Sequence, residues 1–183
     1  MKKWGNEKVE KDKSFSKTEG QLYRYFEYKN KIHKFERKVE DLEQQIISLD
    51  NQMRNVHKYI SLDTMPPGGT GVGERVQTSI SGTSYMEKQL EQEVTKLEKR
   101  KVEKIKNKIK TENKIADMQS FIRIMDTNIE NLSEEDKRFI EYFYGAKKKI
   151  PFIAMQLNWS VPTAYRRREE LVKNIEESMW MYK

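Results

Sequence analysis

The chain has 183 residues, of which 36% are hydrophobic and 36% are charged, a balance too polar for one compact core but suited to long helices that bury a narrow apolar seam. Its 36 basic and 29 acidic side chains leave a formal charge of +7, which favours nucleic acid as an acidic partner. There is no cysteine, so disulfides, thiolate nucleophiles and thiol metal ligands are excluded, in keeping with a reducing cytoplasm. No run approaches the roughly 18 apolar residues of a membrane span, and the charged start gives no apolar signal core. The chain therefore reads as a soluble, cytoplasmic, membrane-free protein.

Residues 1–17 are polar and lysine-rich, with only Trp4, Val9 and Phe15 as larger apolar side chains, and read as a flexible basic tail. Thr18 followed by Gln21 has the spacing of a capping box, which predicts a helix over 18–61. Along it Ile32, Phe35, Val39, Leu42, Ile46, Leu49, Met53, Val56 and Ile60 follow one another at alternating steps of three and four. That is a heptad seam, with charged residues crowding the positions between.

Residues 62–83 form a linker around Met65-Pro66-Pro67-Gly68-Gly69, where proline and glycine stop the helix. Gly68 to Gly73 lacks the Lys-Ser or Lys-Thr of a phosphate loop, and no strand precedes it. A second helix is expected over 84–130, with a less regular seam of Met86, Leu90, Val94, Leu97, Val102, Ile105, Ile109, Ile115, Met118, Ile122, Met125 and Ile129. Helices of about 44 and 47 residues each span roughly 65 to 70 Å, so their lengths match. An antiparallel hairpin within the chain and a homodimer through the long helices would both bury the seam, and the sequence favours neither. Between Lys96 and Lys110 eight cations accompany only Glu98 and Glu103; this run reads as a solvated helix face, with contact to flanking DNA as the sharper alternative.

Residues 131–183 start afresh. Ser133 suits an N-cap, with Glu134, Glu135 and Asp136 in the first turn, where the helix dipole favours anions. This short helix is expected to bury Phe139, Ile140 and Phe143 and to close at a left-handed Gly145. A second opens at Ile150 with Pro151 in its first turn and turns Ile153, Ala154 and Leu157 inward. Asn158-Trp159-Ser160 makes the turn, with Asn158 able to take a positive φ, and Ser160 caps a third helix that begins Val161-Pro162-Thr163-Ala164-Tyr165-Arg166-Arg167-Arg168. The expected fold is all-α: a long helical hairpin or coiled coil followed by a small three-helix domain of helix-turn-helix type.

The run from Ile153 to Ala164 resembles the helix-turn-helix of sigma-factor region four, in which Ile-Ala, Leu-Gly, Ser and Thr-Val recur at this spacing. Asn158 stands where that family has glycine, and Ala164 where it has a branched apolar residue. The wider layout of charged helix, Met-Pro-Gly linker, second helix and this ending resembles phage late-gene transcription activators of the ArpU and RinA type. The resemblance implies a sequence-specific regulator that binds double-stranded DNA, acts with host RNA polymerase, and has no enzymatic activity or cofactor. It assigns base-edge contacts to Val161, Thr163, Tyr165, Arg166 and Arg167, since the arginine fork matches the two acceptors of guanine. Phosphate contacts fall to Ser160, Arg168, Lys147, Lys148 and Lys149. The same layout fits a small terminase subunit or a coiled-coil scaffold. His33 and His57 lack a carboxylate cluster at ligand spacing, so no metal site is expected.

Overall fold

The computed structural model describes residues 3–59 and 85–180, all but a few of them helical. The elements are α1 (Lys3–Arg54), the short α2 (Val56–Tyr59), α3 (Tyr85–Glu130), α4 (Glu134–Ile140) continued by a π-helical turn (Glu141–Gly145), α5 (Ile150–Gln156) and α6 (Val161–Trp180). The linker expected over 62–83 lies outside the described residues, as do Ile60 and the side chain of Met86. No described helix is long and apolar enough to cross a membrane.

The chain divides into two compact units, Glu36–Asn113 and Met1–Phe35 with Lys114–Lys183. In the first, α1 and α3 pair within the chain and run antiparallel: Asp50 meets Lys101 at 2.5 Å, and Glu43, one heptad earlier on α1, meets Lys108, one heptad later on α3, at 2.5 Å. Leu42, Leu49 and Leu97 are buried between them. The seam of α3 departs from the expected one. It follows the heptad strictly through Leu97, Lys101, Lys104, Lys108 and Thr111, so that lysines occupy core-facing positions while Val102 and Ile109 stand half exposed in solvent. Lys101 and Lys108 carry their ammonium groups out to carboxylates on α1, those of Asp50 and Glu43. Lys108, held by Glu43 and more loosely by Glu112, keeps its proton more tightly than a free lysine.

In the second unit the expected flexible tail is helix. α1 runs unbroken from Lys3, and Thr18 is an interior residue that donates its hydroxyl to the Ser14 carbonyl and is buried, so no capping box forms. The reason is aromatic. Phe15, Leu22, Tyr25 and Phe26 widen the apolar stripe of α1 beyond the seam, and this wider face joins Phe139, Ile140, Tyr144, Ile150, Ile153, Ala164, Leu171, Val172 and Ile175 in a single core with Met125 of α3. The last fifty residues are therefore not a domain of their own, since their core is completed by both long helices.

Local geometry follows from the same core. The π turn, in which the Ala146 N–H donates to the Glu141 carbonyl five residues back, brings Tyr144 to full burial where Phe143 was expected. Gly145 does not take the left-handed conformation; Lys147 does, with φ of 53°. Glycine is required at 145 for space, because a Cβ there would lie 2.9 Å from Cδ1 of Phe26. Gly20, by contrast, is exposed in the interior of α1, and an added Cβ would meet nothing within 4 Å. Gly20→Ala is expected to stabilise the protein by about 0.5–1 kcal/mol by restricting the unfolded chain. Gly145→Ala is expected to cost about 1–3 kcal/mol by driving Phe26 out of place. Urea denaturation followed by circular dichroism measures both, and equal effects of the two substitutions would contradict this account.

Candidate nucleic-acid interface

Three anchored pieces hold the start of α6. Ser133 caps α4, its hydroxyl accepting from the Asp136 N–H at 3.3 Å and donating to the Asp136 carboxylate at 2.6 Å. α5 packs on α6 and ends in a Schellman turn: Asn158 takes φ of 54°, its N–H donates to the Met155 carbonyl, and the Trp159 N–H donates to that of Ala154 at 2.9 Å. Ser160 then caps α6 by accepting from the Thr163 N–H at 3.2 Å, and its hydroxyl also meets the Thr163 hydroxyl at 2.7 Å.

The small Ala164 is fully buried where α5 and α6 approach, and Trp159 fills the adjoining space by stacking on Phe139 with ring centroids 5.8 Å apart. Leu171, Val172 and Ile175 bury the opposite end of the inward face of α6. The helix is thereby fixed along its back, and its first turns are left to solvent.

The arginine triplet does not act as one group. Arg166 is the outward member, its side chain 75% exposed with a long 3.7 Å contact to Glu170. Arg167 is turned back onto α4, its Nε and Nη2 giving a bidentate pair to Asp136 at 2.8 and 2.7 Å, with Nη1 on Glu170. Arg168 reaches the long arm: Nε and Nη2 bind Glu19 of α1 at 2.8 and 2.6 Å, and its guanidinium lies over the rings of Phe143 and Phe15. Arg168, expected at phosphate, is thus engaged by a carboxylate of the protein itself. Arg167, expected at a base edge, is likewise engaged by Asp136.

Both carboxylates are largely withdrawn from solvent: Asp136 is buried and the Glu19 side chain is 16% exposed. Burial pushes the Asp136 carboxyl up, but the hydrogen bonds from Arg167 and Ser133 and the charge of Arg167 outweigh it and hold the group below its ordinary value. Tyr144 donates to Glu19 at 2.8 Å, and its phenol is pushed far up by burial and by that carboxylate. Burial alone would make the Arg168 guanidinium easier to deprotonate, but Glu19 and Tyr144 more than reverse this.

What remains exposed is a coherent set. Val161, Pro162, Tyr165 and Arg166 lie open on α6, Ser160 caps it, and Thr163 is half-buried beside that cap. The first turn of α6 carries no acidic residue, so its backbone dipole is left unbalanced by the protein. Lys147, Lys148 and Lys149 are exposed in the loop before α5, with Lys148 standing 5.5 Å over the Phe152 ring. Phe152 and Met155 on α5 are exposed as well, and sequence reasoning passed over them. Their signal was their place in Ile150–Gln156, out of phase with the inward Ile153 and Ala154. Among the described residues no group of His, Asp and Glu could hold a metal ion.

The Asp136–Arg167 pair gives a stability test. The folded pKa of Asp136 is lowered, so its contribution is fully present above the unfolded carboxyl value of about 3.9 and is lost as pH falls through the lower folded value. Asp136→Asn is expected to flatten the fall in Tm on acidification below about pH 4. Arg167→Ala is expected to cost about 1–2 kcal/mol at neutral pH, at the lower end for a stranded buried acceptor because the guanidinium is partly solvated. A wild-type acid profile retained by Asp136→Asn would remove this pair from the account. No family model matches the chain, and neither a curated protein nor a solved structure matches it.

Proposed function

We propose that the chain is a sequence-specific DNA-binding transcription regulator of the phage late-gene activator kind, in which α5 and α6 form a helix-turn-helix and α6 enters the major groove. The observation that carries this reading is the division of α6. Its back is locked by Ala164, Leu171, Val172 and Ile175 and by two carboxylate-bound arginines, while Val161, Tyr165 and Arg166 project from an N-terminal end free of anions. A rigid helix with an open first two turns meets the geometric need of groove recognition, because residues there reach base edges.

In this reading Arg166 supplies the fork for guanine, Tyr165 and Val161 supply apolar and edge contacts, and Thr163 and Ser160 lie at the groove rim. Lys147, Lys148 and Lys149 bind phosphate and set the docking register. Arg167 and Arg168 act indirectly by fixing the helix. The chain acts without catalysis, with host RNA polymerase as its second partner.

Footprinting and gel-shift titration on DNA from the protein's own genome test the reading. Arg166→Ala is expected to weaken specific binding by about 1–3 kcal/mol and to relax preference at one base pair. Replacing Lys147, Lys148 and Lys149 by alanine should weaken binding to all sequences alike and make the salt dependence shallower by about one per lost contact. Circular dichroism should be unchanged in both. Wild-type affinity in the Arg166 variant would refute the assignment of α6.

A further inference from the structure

The cations that crowd α3 between Lys96 and Lys110 fall into two groups in the folded hairpin. Lys101, Lys104 and Lys108 belong to the seam, where Asp50 and Glu43 answer the first and the last, and Lys96 is paired with Glu93 at 2.6 Å. Lys99, Arg100, Lys106 and Lys110 are left. All four are exposed, and no carboxylate of the described residues lies within ion-pair distance of any of them. Lys99 and Lys106 stand two places beyond the seam positions Leu97 and Lys104, on the back of α3, and Arg100 and Lys110 lie together on one flank of them. At 3.6 residues per turn the four occupy about a third of the helix circumference. Of the acids over 96–113, Glu98 and Glu112 lie on the opposite flank, and Glu103 alone shares this face.

A helix face that serves only solvation alternates its signs at i and i+4, as Glu27 with Lys31 and Lys108 with Glu112 do elsewhere on α1 and α3. Here Lys106 and Lys110 set like charges one turn apart, and Lys96 with Arg100 repeats the pattern. Such spacing weakens the helix in the free chain, and an anion from outside relieves it. The acids of α1 do not supply that anion from Asp50 or Glu43, because Lys101 and Lys108 already hold both at the seam.

We propose that Lys99, Arg100, Lys106 and Lys110 form a second DNA-binding surface, one that grips the phosphate backbone of a duplex by charge and reads no sequence. The four extend over about 16 Å of helix axis, while a duplex carries one phosphate charge per roughly 1.7 Å, so each side chain meets a phosphate without a fixed register. The surface shares its partner, double-stranded DNA, with the reading of α6 but none of its residues, and the two fail separately.

Fluorescence anisotropy of the full-length protein on a random-sequence duplex, titrated over a salt series, tests the stripe. One variant carries Lys99→Gln, Arg100→Gln, Lys106→Gln and Lys110→Gln; glutamine is a good helix former and all four sites are exposed, so helicity by circular dichroism should be kept. A control with the same loss of charge carries Lys17→Gln, Lys34→Gln, Lys38→Gln and Lys88→Gln, also at exposed positions. The stripe variant should lose on the order of a hundredfold in affinity near 0.1 M salt, and its slope of log affinity against log salt should be shallower by about three to four. The control should change that slope by less than about one. An unchanged slope in the stripe variant, equal losses in the two variants, no binding of wild type to the duplex, or tighter binding of wild type to single-stranded RNA of the same length would each overturn the proposal. Preference among duplex sequences should survive in the stripe variant and change in Arg166→Ala. A slope loss in the stripe variant with no sequence preference in wild type would sustain the stripe and remove the reading of α6.

Discussion

The carboxylate of Glu19 is the knot on which the larger unit depends. It accepts from the Arg168 guanidinium and from the Tyr144 hydroxyl, so one anion on α1 secures both α6 and the π turn that follows α4. A buried anion is costly unless its lone pairs are satisfied, and here cation, phenol and flanking aromatic rings satisfy it together. Once Arg168 is drawn to this site, the phase of α6 is set. The helix must then turn Leu171 and Val172 inward and leave Tyr165 and Arg166 outward.

The second pair, Asp136 with Arg167, repeats the device on the other side of α6 at 2.7 Å, and it adds the cap of α4 to the same network. Two consecutive arginines thus bind the helix at two points to two different elements, while the third, Arg166, stays free of short contacts. A triplet that looks uniform in the sequence is therefore split into one outward residue and two that hold it in position. This division is what allows a basic helix start to be both rigid and available.

Much of the fold could be read without coordinates because it rests on local rules. The heptad steps from Ile32 to Met53 lie within α1, Ser133 and Ser160 located the starts of α4 and α6, and Asn158 located the left-handed turn. The errors arose where distant residues overrode local ones. Val102 and Ile109 were counted into the seam because they are apolar, whereas the strict heptad passes through Lys101 and Lys108, which are tolerable there only because Asp50 and Glu43 wait across the hairpin. The helix over the tail was not legible because Phe15 alone looks too weak to order its neighbours; the core it packs against draws most of its residues from far along the chain. For the candidate site, the exposure of Lys147, Lys148, Lys149, Tyr165 and Arg166 was legible from type and position. The diversion of Arg167 and Arg168 was not, since Glu19 is separated from Arg168 by 149 residues.

That separation shapes how the protein comes into being. Translation delivers the aromatic face of α1 well before α6, which packs on it; contacts of such sequence span close slowly because a long loop must be ordered before they repay it. During that interval Phe15, Leu22, Tyr25 and Phe26 are a sticky surface without a cover, the kind that chaperones hold and that promotes aggregation when synthesis outpaces release. A chain cut short anywhere before Arg168 forfeits the clasp at Glu19 as well as the residues removed, and with it the anchor that holds α6 on α1.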